Sequence, residues 1–316
     1  MAQIVRTVGV DVSKAELVVT SWPERKRLVV KNDAAGWREL SAWLTAEGIE
    51  RCGLEASGGY ERDAATFLAD AGHWVSILNP ERVKRFRQAQ GWRAKNDGID
   101  SAAIALFVAQ TENHRFVPDA VRRQLGEWLA TRSALVDAWV RLAGMLEHCT
   151  DAVAKRLLGV EILRLKHMTR ILERRMAAVL AAAPRLAALK RLLTSVVGVG
   201  AVTATTTIAH LPELGQLTRR AIASLVGFAP FDDDSGPRHG GRHIEGGRER
   251  LRRALYMATL AAIRHANPVL RSFYRRLRRK GKAAKVALIA TARKLLVILN
   301  AMVRTGQLWR HASAQA

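Results

Sequence analysis

The sequence predicts an α/β domain on a mixed sheet, followed by a helical connector and a mainly α-helical C-terminal region. Three observations predict it. Short β-branched runs crowd the first part of the chain, a long helical periodicity almost without glycine or proline fills about 120–193, and three consecutive helices close the sequence.

Residues 4–12 (IVRTVGVDV), 16–22 (ELVVTSW) and 26–31 (KRLVVK) are β-branched runs between polar breaks, as in an antiparallel meander. Asp33 is placed to cap a helix carrying Trp37, Leu40, Trp43 and Leu44 on one face. Residues 51–56 read as the next strand, about 60–71 as a second helix and 74–78 as a further strand, before helical material containing Asp97 and Asp100. The order βββ-α-β-α-β-α is that of an RNase H-like fold, with helices flanking the sheet. Leu125, Trp128, Leu135, Trp139, Leu142 and Leu146 then recur at a spacing of about 3.5 residues, as in an antiparallel helical hairpin. That hairpin reads equally as bundle core or as a coiled-coil arm that dimerises. Helices are expected over about 248–265, 268–280 and 284–305, giving a division into 1–112, 113–190 and 191–316.

Charge is unevenly distributed. Of 51 basic and 28 acidic residues, 15 and 14 fall within positions 1–110, a balance of +1, leaving 36 and 14, or +22, beyond. A surface this positive draws polyanions by counterion release, so nucleic acid is the expected partner. Cys52 and Cys149 stand alone without CxxC spacing, which argues against a disulfide framework or a zinc site and fits a reducing cytoplasm. The N-terminus carries Arg6, Asp11 and Lys14 without an apolar signal core. The longest uncharged run, 192–212, is interrupted by Gly198, Gly200 and threonines, so it reads as a core segment and no membrane partner is expected.

Asp11 ends the first apolar strand in VGVDVSK, and Glu55 ends the next central strand in CGLEASGGYER. A carboxylate closing a buried run is costly unless a cation meets it. Asp97 and Asp100, three apart in RAKNDGIDSAAIA, share a helix face, although a cap followed by a first-turn acid would show the same spacing. Four hard oxygen donors on three elements suit one or two Mg²⁺ or Mn²⁺ ions, the arrangement that clamps the attacking and leaving oxygens of a phosphodiester. Gly58-Gly59, just beyond Glu55, reads as a hinge or simply a turn.

Ser235 lies in FDDDSGPRHGGRHIEGGR, whose glycines and proline predict irregular backbone and whose Arg238, Arg242 and Arg248 are suited to phosphate. By itself a serine before glycine is usually a turn residue. Arg271, Arg275, Arg276, Arg278, Arg279, Lys280, Lys282 and Lys285 form a run without an intervening acid, dense enough to grip a nucleic-acid backbone. The VVGVGAVTA segment is compatible with a helix-hairpin-helix phosphate turn and equally with a plain inter-helix turn.

VGVDVSK, LEASGGYER and AKNDGIDS resemble the signature segments of DEDD-type insertion-sequence transposases of the IS110 family. The resemblance continues through VVGVGAVTA, LPELGQL, LVGFAPFDDDSG, RERLRRALYMA and NPVLRSFYRRLRRKGK, and is weakest over about 120–185. It implies Asp11, Glu55, Asp97 and Asp100 as metal ligands and Ser235 as a nucleophile that holds the cut strand covalently. It also implies a composite centre formed across subunits of a dimer or tetramer, donor and target DNA as substrates, and an element-encoded guide, or bridge, RNA. The setting implied is a bacterial cytoplasm, on the nucleoid when DNA-bound. Two departures stand out: AKNDGIDS where the family commonly reads AKTDRIDA, and Asp232, Asp233 and Asp234 in a row before the serine. Two rival readings remain, a RuvC-type junction endonuclease using water as nucleophile and a non-catalytic basic nucleic-acid-binding protein.

Overall fold

The structure, a computed structural model, describes residues 5–92, 97–231, 234–235, 238–239, 243–244, 246–265 and 267–309. It divides into two compact units, 1–119 and 120–316.

The first unit opens with β1 (Thr7–Val12), β2 (Glu16–Trp22) and β3 (Arg27–Lys31), followed by α1 (Ala34–Ala46), β4 (Arg51–Glu55), α2 (Glu61–Asp70), β5 (Val75–Leu78), α3 (Pro80–Ala89) and α4 (Asp97–Gln110). The strands form one sheet in the order β3-β2-β1-β4-β5. Pairing is antiparallel among β1, β2 and β3 and parallel from β1 to β4 to β5, the mixed sheet expected of an RNase H-like domain. Asp33 caps α1, its carboxylate accepting from the Ala35 and Gly36 amides. The material after β5 forms two helices rather than one: Asn79 caps α3, which starts on Pro80, and α4 begins separately at Asp97.

One face of the sheet carries Val8, Val10, Leu17 and Val19, buried against Leu40 and Leu44 of α1 and Leu68 of α2. The other face carries α4. A methyl group on Gly9 would collide with the Ser101 carbonyl oxygen and the Ala105 amide of α4, and one on Gly53 would collide with Val108. Thr7 Oγ1 donates to the Ala105 carbonyl at 2.8 Å, and Thr20 Oγ1 and Ser101 Oγ lie 2.6 Å apart. Side chains alternate along a strand. Thr7, Gly9 and Asp11 of β1, with Gly53 and Glu55 of β4, therefore share the α4 face.

The second unit is mainly helical: α5 (Ala120–His148), α6 (Ala152–Ala182), α7 (Pro184–Thr194), α8 (Ala201–His210) and α9 (Arg219–Val226). Short strands β6 (Pro230–Phe231), β7 (Asp234–Ser235), β8 (Arg238–His239) and β9 (His243–Ile244) come next, then α10 (Glu249–Arg264), α11 (Pro268–Arg279) and α12 (Ala284–Thr305). α5 and α6 pack as an antiparallel hairpin, with Arg132 to Glu173 at 2.7 Å and Lys166 over the Trp139 ring at 4.9 Å. Its core joins Leu125, Leu180, Ile208, Leu255 and Leu295. The uncharged run 192–212 becomes the end of α7, a turn and α8, with Gly198 at φ +103 closely packed on Ala262. α12 is the one described helix long and apolar enough to cross a membrane, and 44% of its apolar window is buried within the protein.

Candidate active site

The carboxylates are placed by register. β1 and β4 run parallel with Gly9 opposite Gly53 and Val10 opposite Leu54, so the next residues along, Asp11 and Glu55, follow as neighbours on adjacent strands. Along α4 the contacts run in reverse, Thr7 to Ala105 and Gly9 to Ser101. Two strand residues advance about as far as four helical ones, so Asp11 falls beside the first turn of α4. Both Asp11 and Glu55 are half-buried.

Glu55 and Asp100 line one cleft of about 190 Å³ together with Pro80, Glu81, Val83, Lys84, Arg87 and Ala103. Three of the four sequence candidates thus lie toward one region of one sheet face. Asp97 is the first residue of α4, one turn before Asp100, and its side chain lies outside the described residues. Among the described residues, no three His, Cys, Asp or Glu side chains are grouped as ligands of a single ion. The donor chemistry nevertheless suits a hard divalent cation: carboxylate oxygens from β1, β4 and α4, beside a cleft that already holds the Arg87 guanidinium against Asp100.

The loop after Glu55 is organised by Glu61. Its carboxylate is buried and accepts from the Ser57 amide at 3.0 Å and the Gly59 amide at 2.9 Å. Gly58 and Gly59 have φ of +74 and +116, and a methyl group on either would meet nothing within 4 Å, so both belong to a turn. Cys52, fully buried in β4, has its thiol pushed up to about 12 by burial and holds no thiolate near neutrality.

In the second unit Ser235 belongs to β7, whose backbone pairs with β8, Ser235 opposite Arg238. The 230–244 stretch, expected to be irregular, therefore contains two-residue antiparallel ladders among its described residues. The side chains of Ser235 and Arg238, and the whole of Arg242, lie outside the described residues. Arg248 is engaged within the unit, donating twice to Glu213 at 2.6 Å and once to the His210 carbonyl at 2.9 Å.

Arg275, Arg276, Arg278, Arg279, Lys280, Lys282 and Lys285 are exposed, and Arg271 is half-buried. Two cations approach the Phe273 ring, with Lys294 Nζ 4.5 Å and Arg276 Cζ 5.2 Å from its centre. Burial, and then the Arg276 charge, holds the Lys294 amine below the ordinary lysine range. Sequence reasoning missed Lys84, Arg87, Glu61 and Lys294, because none stands in a recognisable spacing with the groups it meets.

Two family models match the chain: an IS110-type DEDD model described as a transposase, over 8–153, and one described as the transposase IS116/IS110/IS902 family, over 190–275. The chain belongs to the IS110 transposase family. As a member it is a DNA transposase or recombinase, an enzyme that acts on DNA and depends on a divalent metal. A pilin gene-inverting protein of Moraxella bovis is 26% identical over 325 positions, covering 94% of this chain and 95% of that protein. Its counterpart in Moraxella lacunata is 24% identical over similar coverage. The insertion element IS110 43.6 kDa protein of Streptomyces coelicolor is 33% identical over 165 residues, covering 52% of this chain and 38% of that protein.

Proposed function

We propose that this transposase cuts and rejoins the DNA strands of a mobile insertion sequence with a carboxylate-held divalent metal and a serine nucleophile. The observation that supports the reading is the adjacency of Asp11 and Glu55 in the β1–β4 register, on the face covered by α4, where Asp100 lines the same cleft as Glu55. Asp11, Glu55, Asp97 and Asp100 would hold Mg²⁺ or Mn²⁺. Bound there, such ions would supply positive charge to neutralise the phosphodiester and to stabilise its entering and leaving oxygens. The Ser235 hydroxyl oxygen forms a bond to phosphorus as one DNA P–O bond breaks, the freed strand end leaving as a hydroxyl that carries the proton. Attack by another strand's hydroxyl reverses the step and rejoins the DNA. Similarity to proteins named as gene-inverting supports this cut-and-rejoin chemistry.

The basic run from Arg271 to Lys285, with Arg238 and Arg242, would grip the donor and target DNA backbone, and a bridge RNA would choose the sites. The hairpin within about 113–190 serves as a connector and a self-association surface, supported by exposed Val153, Leu157 and Val160, which recur at heptad spacing on α6. Asp11→Asn should abolish metal-dependent strand cleavage, and Ser235→Ala should abolish covalent DNA attachment. Continued cutting by Ser235→Ala would make water the nucleophile, as in a junction endonuclease; unchanged cutting by Asp11→Asn would make the carboxylates structural.

A further inference from the structure

One wall of the cleft at Glu55 and Asp100 is cationic. Lys84 and Arg87 lie three residues apart on α3, on one helix face, and both line the cleft. Lys84 is exposed, whereas Arg87 reaches inward: its Nη1 is paired with Asp100 Oδ1, the two side chains being 17% and 16% exposed. The remaining acid on α3, Glu81, is paired at 3.0 Å with Arg85.

Arg87 is incompletely satisfied. Its Nε is buried and finds no hydrogen-bond partner among the described residues. A buried N–H without an acceptor is costly, and a buried ion pair is a poor source of stability compared with apolar packing. A guanidinium presents a planar fork of donors matched to phosphate oxygens, so an unmet donor beside a cleft suits an anionic ligand. It also stands on a carboxylate proposed as a metal ligand.

We infer that Arg87 is the resident cation of the cleft: it neutralises Asp100 until a divalent ion takes that carboxylate, and then turns, beside Lys84, to a phosphodiester oxygen of the bound DNA. The inference rests on the proposed metal role of the carboxylates. It makes Arg87 a positioning residue that exchanges an internal anion for a substrate anion, so that charge in the cleft stays balanced before and after loading.

The test is Mn²⁺ binding to the full chain by titration calorimetry, without DNA, for wild type, Arg87→Gln and Asp11→Asn. Removing the internal competitor should make Arg87→Gln bind Mn²⁺ about tenfold more tightly, whereas Asp11→Asn should lose binding. If Asp11→Asn binds like wild type, the metal reading fails and takes this inference with it. If Asp11→Asn loses binding while Arg87→Gln binds no more tightly than wild type, only the Arg87 inference is overturned. Should Arg87→Gln not fold, the wild-type arginine Nε–H resonances, with Arg87 assigned through Arg87→Lys, carry the test. The Arg87 signal should move on adding Mg²⁺ and move again on adding a duplex oligonucleotide. A signal unmoved by Mg²⁺ overturns the exchange, and one unmoved by the duplex overturns the phosphate contact.

Discussion

Gly9 of β1 and Gly53 of β4 stand opposite one another in the parallel register, and both lie under α4. The pair makes a flat patch on the sheet on which the helix rests, and the next residue but one on each strand is Asp11 or Glu55. Close approach of α4 is therefore what brings Asp100 toward the strand ends.

Gly9→Ala is accordingly expected to cost more than Gly53→Ala, because its methyl group meets helix backbone, which cannot swing aside, whereas Gly53 meets the side chains of Val108 and Leu78. Overpacking of this kind costs about 1–3 kcal/mol. Gly58→Ala, in open space at φ +74, should cost only the conformational term of about 1 kcal/mol. Urea unfolding of the three variants gives the order; a Gly9→Ala chain as stable as wild type would contradict the packing of α4 on β1.

Glu61 holds the turn that follows Glu55. Glu61→Ala leaves the Ser57 and Gly59 amides without their carboxylate and should lower stability by about 1–3 kcal/mol. Mn²⁺ affinity should fall by roughly tenfold if the turn orients Glu55. Glu61→Gln keeps an acceptor and should lie between. Calorimetry that finds unchanged metal affinity in Glu61→Ala would remove Glu61 from the site's support.

On α11, Arg275, Arg278 and Arg279 are exposed, while Arg276 rests on Phe273. Changing the first three to glutamine should reduce the slope of log affinity against log salt by about 0.9 for each phosphate that is no longer neutralised. Fluorescence anisotropy with a duplex across a salt series measures it, and an unchanged slope would place the DNA backbone elsewhere.

The Lys294 amine is held below the usual lysine range, first by burial and then by Arg276. At pH 9 it should therefore acylate faster in wild type than in Arg276→Gln. The sign for stability follows: the unfolded chain binds this proton more tightly, so the contribution of Lys294 improves as pH rises through the window below 10.5. Mass spectrometry of labelled peptides decides the matter, equal Lys294 rates in the two chains being the contrary result.

The strands, the Asp33 cap and the three closing helices were legible because each is written locally, in β-branched runs, a capping residue beside a periodic face, or Pro268 at a helix start. The paired short strands around Ser235 were not, since two-residue ladders leave no periodicity to read. Arg87 was hidden for a different reason: its offset of thirteen positions from Asp100 corresponds to no helical or strand repeat.

The linear chain already carries the order of elements in the first unit, the cationic character of the C-terminal part and the resemblance to IS110 transposases. Packing in three dimensions is what makes Asp11 and Glu55 adjoin, lets α4 lie close enough to bring Asp100 near, and seats Arg87 on that carboxylate. Local patterns fix the strands and helices, but register and close packing depend on atoms far apart in the chain, where a missing methyl group on Gly9 matters as much as any charge.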